Sequence, residues 1–257
     1  MAKKSLIDSH CHLDFSVFDT DREAVIQRAK QTGISDIIIP GVSANNWAKI
    51  QSLCSQNKML HPCYGLHPYW LAQHDEQDLE KLKQFIDNNP CLAIGECGLD
   101  YRPEQADKNQ QQYFFEAQLE IATEKNLPVI IHSVRATEEV IQRLRKYPKL
   151  TGMIHSYSGS YEQALLLIEM GFYLSFGGAI SYQHATKLRN IVSKIPLTSI
   201  LIETDAPDQP DTRHQHERNE PAYLIEVLNT LAQLRKENTE QIAQQTTTNA
   251  KTLFNLN

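Results

Sequence analysis

The chain has 257 residues, of which 41% are hydrophobic and 22% charged, and its formal net charge is −6 at pH 7. This composition is ordinary for a soluble globular protein, and the negative charge argues against broad, sequence-independent binding to nucleic acid, which depends on stripes of Lys and Arg. No apolar run approaches the ~20 residues of a membrane helix, so no membrane segment is expected.

The N-terminus and the cysteines indicate the compartment. The segment "MAKKSLIDSH" (1–10) has no long apolar stretch after its lysines, so no signal peptide is expected. The five cysteines are scattered without CxxC pairs, and an odd number in such a chain predicts free thiols in a reducing environment. We therefore expect a cytoplasmic protein without a cysteine-based zinc site. The basic segment "RLRKYPK" (143–149) is expected to be a solvated helix end.

Short apolar, β-branched runs recur along the whole chain. Near-continuous apolar runs of this kind are typical of parallel strands that are buried on both faces. The eight runs are 5–10, 36–43, 60–68, 91–100, 128–133, 152–159, 172–179 and 200–207.

Helical patterns separate these predicted strands. Apolar periodicity indicates helices over 20–33, 75–90, 109–126 and 160–171. The tail, 220–255, is predicted to hold two or three helices, with "TTTN" (246–249) as a cap between them.

Alternating strands and helices over ~250 residues predict a (β/α)₈ TIM barrel. No linker or composition shift divides the chain, so residues 1–257 are expected to form a single domain. A doubly wound open sheet is the alternative, but the first βα turn lacks the GxGxxG pattern of that fold.

Histidines and acids occur where the predicted strands end. In a barrel these ends converge on one rim, which carries the active site, whereas such side chains would be costly inside apolar strands. His67 ends the third strand and is set apart as a rim residue. The remaining six, four histidines and two carboxylates, suit a dinuclear site for Zn²⁺, Mn²⁺ or similar ions. They are His10 and His12 (first strand), Glu96 (fourth), His132 (fifth), His155 (sixth) and Asp205 (eighth).

The first strand illustrates the alternatives that a single motif leaves open. Strand alternation predicts that Asp8, His10 and His12 share one face, with Cys11 on the other. Taken alone, the two histidines could equally be hydrogen-bonded residues at a strand end. Among the other histidines, His61, His74 and His184 are expected to be structural or at the surface. His214 and His216 are expected to be solvated loop residues, with a ligand role as the alternative, since their loop lies on the catalytic face.

Seven short motifs occur in an order that spans almost the whole chain. Each is weak by itself, but the ordered set resembles the TatD family of metal-dependent hydrolases, within the amidohydrolase-like barrel group. The motifs are "DSHCHLD" (8–14), "GLHP" (65–68), "IGECGLDY" (94–101), "PVIIHS" (128–133), "IHSYSG" (154–159), "ETDAP" (203–207) and "TTTNAKTLF" (246–254).

The resemblance implies two divalent metal ions, Zn, Mg or Mn. It assigns one ion to His10, His12, Glu96 and Asp205. It assigns the other ion to Glu96, His132 and His155, so that Glu96 bridges. Related barrels often bridge with a carboxylated lysine on the fourth strand, but no lysine occurs in "CLAIGECGLD" (91–100).

The resemblance also implies a deoxyribonuclease, chiefly a 3′→5′ exonuclease acting on DNA or RNA, with no obligate protein partner. Two departures bear on the substrate pocket. Arg135 in "HSVRA" lies one place later than in the expected "HSR", and "DQPD" follows "ETDAP" where many members have Tyr or Leu. Arg135 is the candidate for phosphate binding in its loop.

Further roles can be assigned to residues near the predicted metals. Asp205 is the expected general base, or a ligand only. Glu203 could orient a ligand or form a core ion pair. His67 is expected to contact a phosphate or the leaving group, and Tyr101 and Arg102 to stack a base or hold a phosphate.

Three functions remain open from the sequence. The first is metal-dependent phosphodiester hydrolysis at nucleic-acid ends, which the acidic charge favours over binding along duplexes. The second is hydrolysis of esters or amides, including deacylation of aminoacyl-tRNA. The third is a non-catalytic zinc-binding scaffold, which the full set of six candidate ligands disfavours.

Overall fold

The computed structural model describes residues 5–105 and 107–256, and strands alternate with helices along these ranges. The strands are β1 (Leu6–Asp8), β2 (Ile34–Pro40), β3 (Leu60–Cys63), β4 (Ile94–Asp100), β5 (Val129–Val134), β6 (Gly152–Ile154), β7 (Phe172–Phe176) and β8 (Ile200–Ile202). The helices are α1 (Arg22–Gln31), α2 (Ala44–Gln56), α3 (Glu76–Asn88), α4 (Lys108–Lys125), α5 (Thr137–Leu144), α6 (Tyr161–Glu169), α7 (Thr186–Lys194), α8 (Leu224–Leu234) and α9 (Thr239–Phe254). Within these ranges no helix is both long and apolar enough to cross a membrane.

All strand pairs are parallel and follow chain order, in the sheets β1-β2-β3 and β4-β5-β6-β7-β8. Backbone hydrogen bonds join the two sheets at both seams. The Gly95 amide donates to the Tyr64 carbonyl at 2.9 Å beside β4, and the Ser9 amide donates to the Ile202 carbonyl at 3.1 Å beside β8. The predicted (β/α)₈ barrel is therefore confirmed.

Several strands are shorter than the apolar runs predicted. The regular strands β1, β6 and β8 end at Asp8, Ile154 and Ile202, whereas the runs continue further. Most of the extra residues are buried in loop segments although their backbone does not pair in a ladder, and several of them are polar. As a result most of the predicted site residues lie just beyond a strand.

The prediction of a cap at "TTTN" is wrong, because α9 runs unbroken through residues 246–249. The Thr246 hydroxyl donates to the Ile242 carbonyl within the helix, a bond that leaves the helix intact. Thr247 donates to the Ser5 carbonyl, and the Asn249 amide donates to the Ile200 carbonyl at 2.8 Å. These polar residues therefore attach α9 to the starts of β1 and β8.

The strands are buried on both faces, as the apolar runs indicated. One buried cluster combines alternate strand residues with three residues of α9: it includes Ile7, Ile38, Ile130, Leu201 and Phe254. The larger cluster lies between the strands and the surrounding helices. Because α9 bonds to the strand starts, it closes the N-terminal end of the barrel and leaves the polar rim at the other end open.

Gly98 allows close packing of β4 on β5. Its φ is +138°, and a Cβ at this position would overlap the carbonyl oxygen of His132. We expect Gly98→Ala to lower the free energy of unfolding by more than about 3 kcal/mol, since overpacking against backbone has no flexible neighbour to relieve it. Chemical denaturation measures this loss.

Gly171→Ala is the matched control. Gly171 also has a positive φ, +88°, but a Cβ there would have no heavy atom within 4 Å. We expect a loss of only about 1 kcal/mol, from backbone strain alone. Equal losses in the two variants would contradict the close β4–β5 contact.

Candidate metal centre

The predicted site residues meet at the C-terminal end of the barrel. Glu96 and His132 lie within β4 and β5. The others follow strands: His10 and His12 after β1, His67 after β3, His155 after β6 and Asp205 after β8. All seven side chains are buried or nearly so.

One oxygen of Glu96 faces a first group of side chains. Its Oε2 lies 3.1 Å from His10 Nε2 and 3.4 Å from His12 Nε2. The Oδ1 of Asp205 lies 3.5 Å and 3.6 Å from the same two nitrogens. These four side chains are therefore close enough to share one ion.

The other oxygen of Glu96 faces a second group. Its Oε1 lies 2.9 Å from His67 Nε2, 3.0 Å from His132 Nδ1 and 3.1 Å from His155 Nε2. The His132 and His155 nitrogens are 3.3 Å apart. The carboxylate of Glu96 thus lies between two separate sets of imidazoles, and His67 belongs to the second set.

The donor set fits divalent cations. Zinc–nitrogen bonds are about 2.0–2.1 Å long, so two ligand atoms on one ion lie about 3.0–3.5 Å apart. The nitrogen–oxygen separations around Glu96 fall in or close to that range. Imidazole and carboxylate donors suit Zn²⁺ and Mn²⁺. Among the described residues, three groups have ligand atoms that all lie within 4.8 Å of one another: His10–His12–Glu96, His67–Glu96–His132 and His10–His155–Glu203.

The electrostatics differ between the members of the donor set. Burial would raise the pKa of the Glu96 carboxyl, but the surrounding imidazoles hold it well below its usual range, so Glu96 is ionised. Burial lowers the pKa of His67 to about 4. Burial, together with His155, also lowers the pKa of His10. Neutral imidazoles offer a lone pair to a metal. Burial would lower the pKa of His12, but the Glu96 and Asp205 carboxylates raise it to about 9, and neighbouring carboxylates likewise raise the pKa of His132 and His155.

Asp100 and Arg102 support His132 from behind. Asp100 Oδ2 lies 3.2 Å from His132 Nε2, on the ring edge opposite Glu96. The Arg102 guanidinium donates to both oxygens of Asp100, at 2.5–3.1 Å. A carboxylate in this position fixes the orientation of a metal-binding histidine. Sequence reasoning missed Asp100, although the motif "IGECGLDY" contained it.

Glu203 has the corresponding place behind His155. Its Oε1 lies 3.3 Å from His155 Nδ1 and accepts the backbone amide of Ser156 at 2.7 Å. Glu203 is fully buried. This is the orienting position that the sequence left open for it.

Gln209 supports Asp205, and no sequence pattern indicated it. Its Nε2 donates to Asp205 Oδ2 at 2.5 Å, and its Oε1 accepts the Ser156 hydroxyl at 2.8 Å. Asp205 therefore turns one oxygen to Gln209 and the other to the histidines. The segment "DQPD", which departs from the family pattern, supplies this side chain.

The remaining predicted residues lie farther out or elsewhere. The Tyr101 hydroxyl accepts Gln112 Nε2 at 2.7 Å, and Arg102 lines the cavity above the metal centre. Arg135 is exposed, in a left-handed conformation (φ 53°), and does not line that cavity.

Asp8 does not share the face of His10 as strand alternation predicted. The strand β1 ends at Asp8, so the alternation does not extend to His10. Asp8 is fully buried and accepts the amide and the hydroxyl of Thr204, at 2.9 and 2.5 Å. Burial raises the pKa of Asp8 to about 7.

A cavity of about 550 Å³ opens above the metal centre. Its floor is polar and its upper walls are aromatic, and Arg102 and Asp208 also line it. The upper walls are formed by Phe15, Tyr69 and Trp70. A pocket of this size is typical of small-molecule or substrate sites.

Comparison with known proteins identifies close relatives. The family model described as TatD related DNase matches residues 7–255. The Escherichia coli K12 protein named uncharacterized metal-dependent hydrolase YjjV is 39% identical over 254 residues, which cover 97% of this chain and 98% of the relative. The Bacillus subtilis protein named uncharacterized metal-dependent hydrolase YabD is 36% identical, over 98% of this chain and 100% of that protein.

Solved structures agree with these matches. The crystal structure of YJJV, a TatD homolog from Escherichia coli K12, has a TM-score of 0.96 and 37% identity and covers 100% of both chains. A hydrolase TatD family protein from Entamoeba histolytica has a TM-score of 0.88 at 20% identity, again over 100% of both chains, and supports the fold alone.

The shared carboxylate yields a prediction about metal content. We expect Glu96→Gln to lose both ions together, because the amide removes the charge that both histidine groups face. Metal analysis after equilibrium dialysis measures the stoichiometry and affinity. Glu169→Gln is the matched control, since Glu169 is exposed on α6. Two ions bound with undiminished affinity to Glu96→Gln would rule out bridging.

A second prediction concerns Asp100. We expect Asp100→Asn to lower the affinity for one ion about 10–100-fold, the usual effect of removing the partner of a metal-binding histidine. Competition with a chromogenic chelator measures the affinity. The variant Asp87→Asn, which removes the same charge from an exposed site, should bind metal as the wild type does. Identical affinities for Asp100→Asn and wild type would contradict the orienting role.

Proposed function

We propose a function from the premise that the chain belongs to the TatD related DNase family, whose model it matches over residues 7–255. The protein is a metal-dependent hydrolase that cleaves phosphodiester bonds at the ends of DNA or RNA, in the manner of a 3′→5′ exonuclease. The observation that carries this proposal is the carboxylate of Glu96, which turns one oxygen to each of two histidine groups.

The residues divide into two ligand sets. His10, His12, Glu96 and Asp205 would hold one divalent ion, and Glu96, His132 and His155 would hold the other, with His67 beside the second. A pair of such ions lowers the pKa of a bound water and stabilises the charge that develops on phosphate oxygens. Zn²⁺, Mn²⁺ and Mg²⁺ are the candidate ions.

Asp205 is the candidate general base. Gln209 holds one of its oxygens, while the other faces the open floor of the cavity beside His10 and His12. In this position the carboxylate can accept the proton of an attacking water, and the fixed orientation keeps the accepting oxygen directed at the substrate side.

Arg102 and the aromatic walls suit a nucleic-acid end. The guanidinium of Arg102 stays charged and lines the cavity; its Nε and Nη2 donate to Asp100, and its Nη1 can contact a phosphate oxygen. The cavity is bounded on several sides, and the chain carries a net charge of −6. Both properties favour a terminal nucleotide over continuous contact along a duplex, which needs many cationic side chains.

A substrate panel tests the reaction class. The metal-loaded protein is incubated with end-labelled single-stranded DNA, RNA and aminoacyl-tRNA, each with Mg²⁺, Mn²⁺ or Zn²⁺. We expect mononucleotides released stepwise from the 3′ end. Release of the amino acid alone would favour the ester-hydrolase alternative, and no hydrolysis with any substrate or metal would favour a binding scaffold.

Asp205→Asn should separate metal binding from turnover. Asparagine keeps the shape and one acceptor oxygen but cannot accept a proton at neutral pH. General base catalysis contributes about 10²–10⁴-fold, so kcat should fall at least about a hundredfold at saturating metal with occupancy measured.

His67→Ala provides the comparison for Asp205→Asn. A residue that contacts only substrate should raise KM more than it lowers kcat. Near-normal kcat for fully metallated Asp205→Asn would show that Asp205 is a ligand only. Loss of a bound ion in His67→Ala would show that His67 is a ligand as well.

A further inference from the structure

A second cavity, of about 740 Å³, adjoins the metal cavity. We call it the Trp70 cavity. The two cavities share Phe15, Val42, Trp70 and Asp208 in their walls. The Phe15 ring also stacks on the His12 imidazole, with 4.6 Å between ring centroids. A group bound in the Trp70 cavity would therefore lie next to whatever occupies the metal centre.

The walls of the Trp70 cavity combine flat aromatic rings with amides. Trp70 and Phe15 are partly exposed, so a planar group can reach their faces. The start of α2 contributes Ser43 and Asn45. Proteins that bind nucleic-acid bases without sequence preference stack them on such aromatic side chains.

Asp14 has a hydrogen-bonding site that remains to be filled. Its side chain lines the Trp70 cavity and is 2% exposed. Its Oδ2 accepts Asn46 Nδ2 at 2.8 Å, whereas its Oδ1 has no hydrogen-bond partner among residues 5–105 and 107–256. A buried acceptor without a donor is unfavourable, so this oxygen favours a ligand that carries O–H or N–H groups.

The charges of the lining favour an uncharged ligand over a phosphate. Lys49 already pairs with Asp19 at 2.8 Å, and Arg218 already pairs with both oxygens of Asp21, at 2.8 and 2.7 Å. The carboxylate of Asp14 would also repel an anion. The ligand chemistry that remains is planar, neutral and rich in hydrogen-bond donors, which describes a nucleoside.

We propose that the Trp70 cavity is a nucleoside subsite. The base of the nucleotide adjoining the scissile bond stacks on Trp70 and Phe15, and a sugar hydroxyl or a base N–H donates to Asp14. This inference rests on the proposed hydrolysis of nucleic acid. It adds a second place at which the substrate is bound, besides the contacts to the reacting phosphate.

Binding without turnover provides the first test. Metal-free protein in EDTA is equilibrated by dialysis with radiolabelled adenosine, and inorganic phosphate is added as a competitor. We expect saturable binding that phosphate does not displace. Loss of a stacking side chain should raise Kd about 5–100-fold in Trp70→Ala.

Asp14→Asn gives an independent variant. The new amide must keep its oxygen on Asn46 Nδ2, which turns an NH₂ group towards the ligand's donor. We expect Kd to rise about tenfold, as for loss of a hydrogen bond to a charged group. The matched controls are Asp87→Asn and Tyr113→Ala, which change an exposed acid and an exposed aromatic ring elsewhere. Thermal unfolding of each variant shows that it is folded.

Activity distinguishes this inference from the proposed function. With metal-loaded protein, Trp70→Ala should raise KM for an oligonucleotide by a larger factor than KM for methyl p-nitrophenyl phosphate, which has no nucleoside. Cleavage of oligonucleotides with no adenosine binding, or with wild-type Kd in both Trp70→Ala and Asp14→Asn, would overturn the subsite and leave the proposed function standing. Adenosine binding that both variants weaken, without cleavage of any nucleic acid, would support the subsite and contradict the proposed function.

Discussion

The carboxylate of Glu96 is the interaction on which the site depends. Five imidazole nitrogens lie 2.9–3.4 Å from its two oxygens, and it is buried. An isolated carboxylate in such a place would be strongly disfavoured by desolvation. A group of imidazoles without the carboxylate would carry no negative charge to attract a metal ion. Only together do they form a centre in which positive charge is favoured. Every other feature of the rim serves to hold these side chains around one residue.

The barrel supplies that positioning through its own backbone bonds. The Asp205 amide donates to the His10 carbonyl at 2.9 Å, so the seam between β8 and β1 also fixes two candidate ligands relative to each other. The Glu96 amide donates to the Gly41 carbonyl at 2.8 Å, and the His155 amide to the Ile131 carbonyl at 3.0 Å. The same backbone hydrogen bonds therefore close the barrel and position the candidate ligands, while α9 covers the opposite end of the barrel.

Sequence reasoning succeeded where one physical rule was enough. Polar residues at the ends of apolar runs had to emerge on one rim, and His10, Glu96, His155 and Asp205 do meet there. The rule could not identify residues whose role depends on side-chain contacts across the rim. In the sequence Gln209 cannot be distinguished from any other loop glutamine. Only the structure shows that its amide donates to Asp205, because the order of residues along the chain does not indicate which atom a loop side chain will contact.

The same distinction explains the errors. "TTTN" has the composition of a cap, but its side chains bond to carbonyls of the preceding turn and of neighbouring strands, so tertiary contacts override a local preference. Asp8 has the spacing of a residue on the same face as His10, but inside the core it accepts the amide and hydroxyl of Thr204 and the amide of His10. Asp14 is the reverse case: its position in "DSHCHLD" suggests nothing beyond a loop acid, yet it lines an open cavity and one of its oxygens has no donor among the described residues. A polar residue in a motif thus acquires its role from the partners that the fold provides, and the unmatched oxygen of Asp14 is where the fold leaves room for a partner from outside the chain.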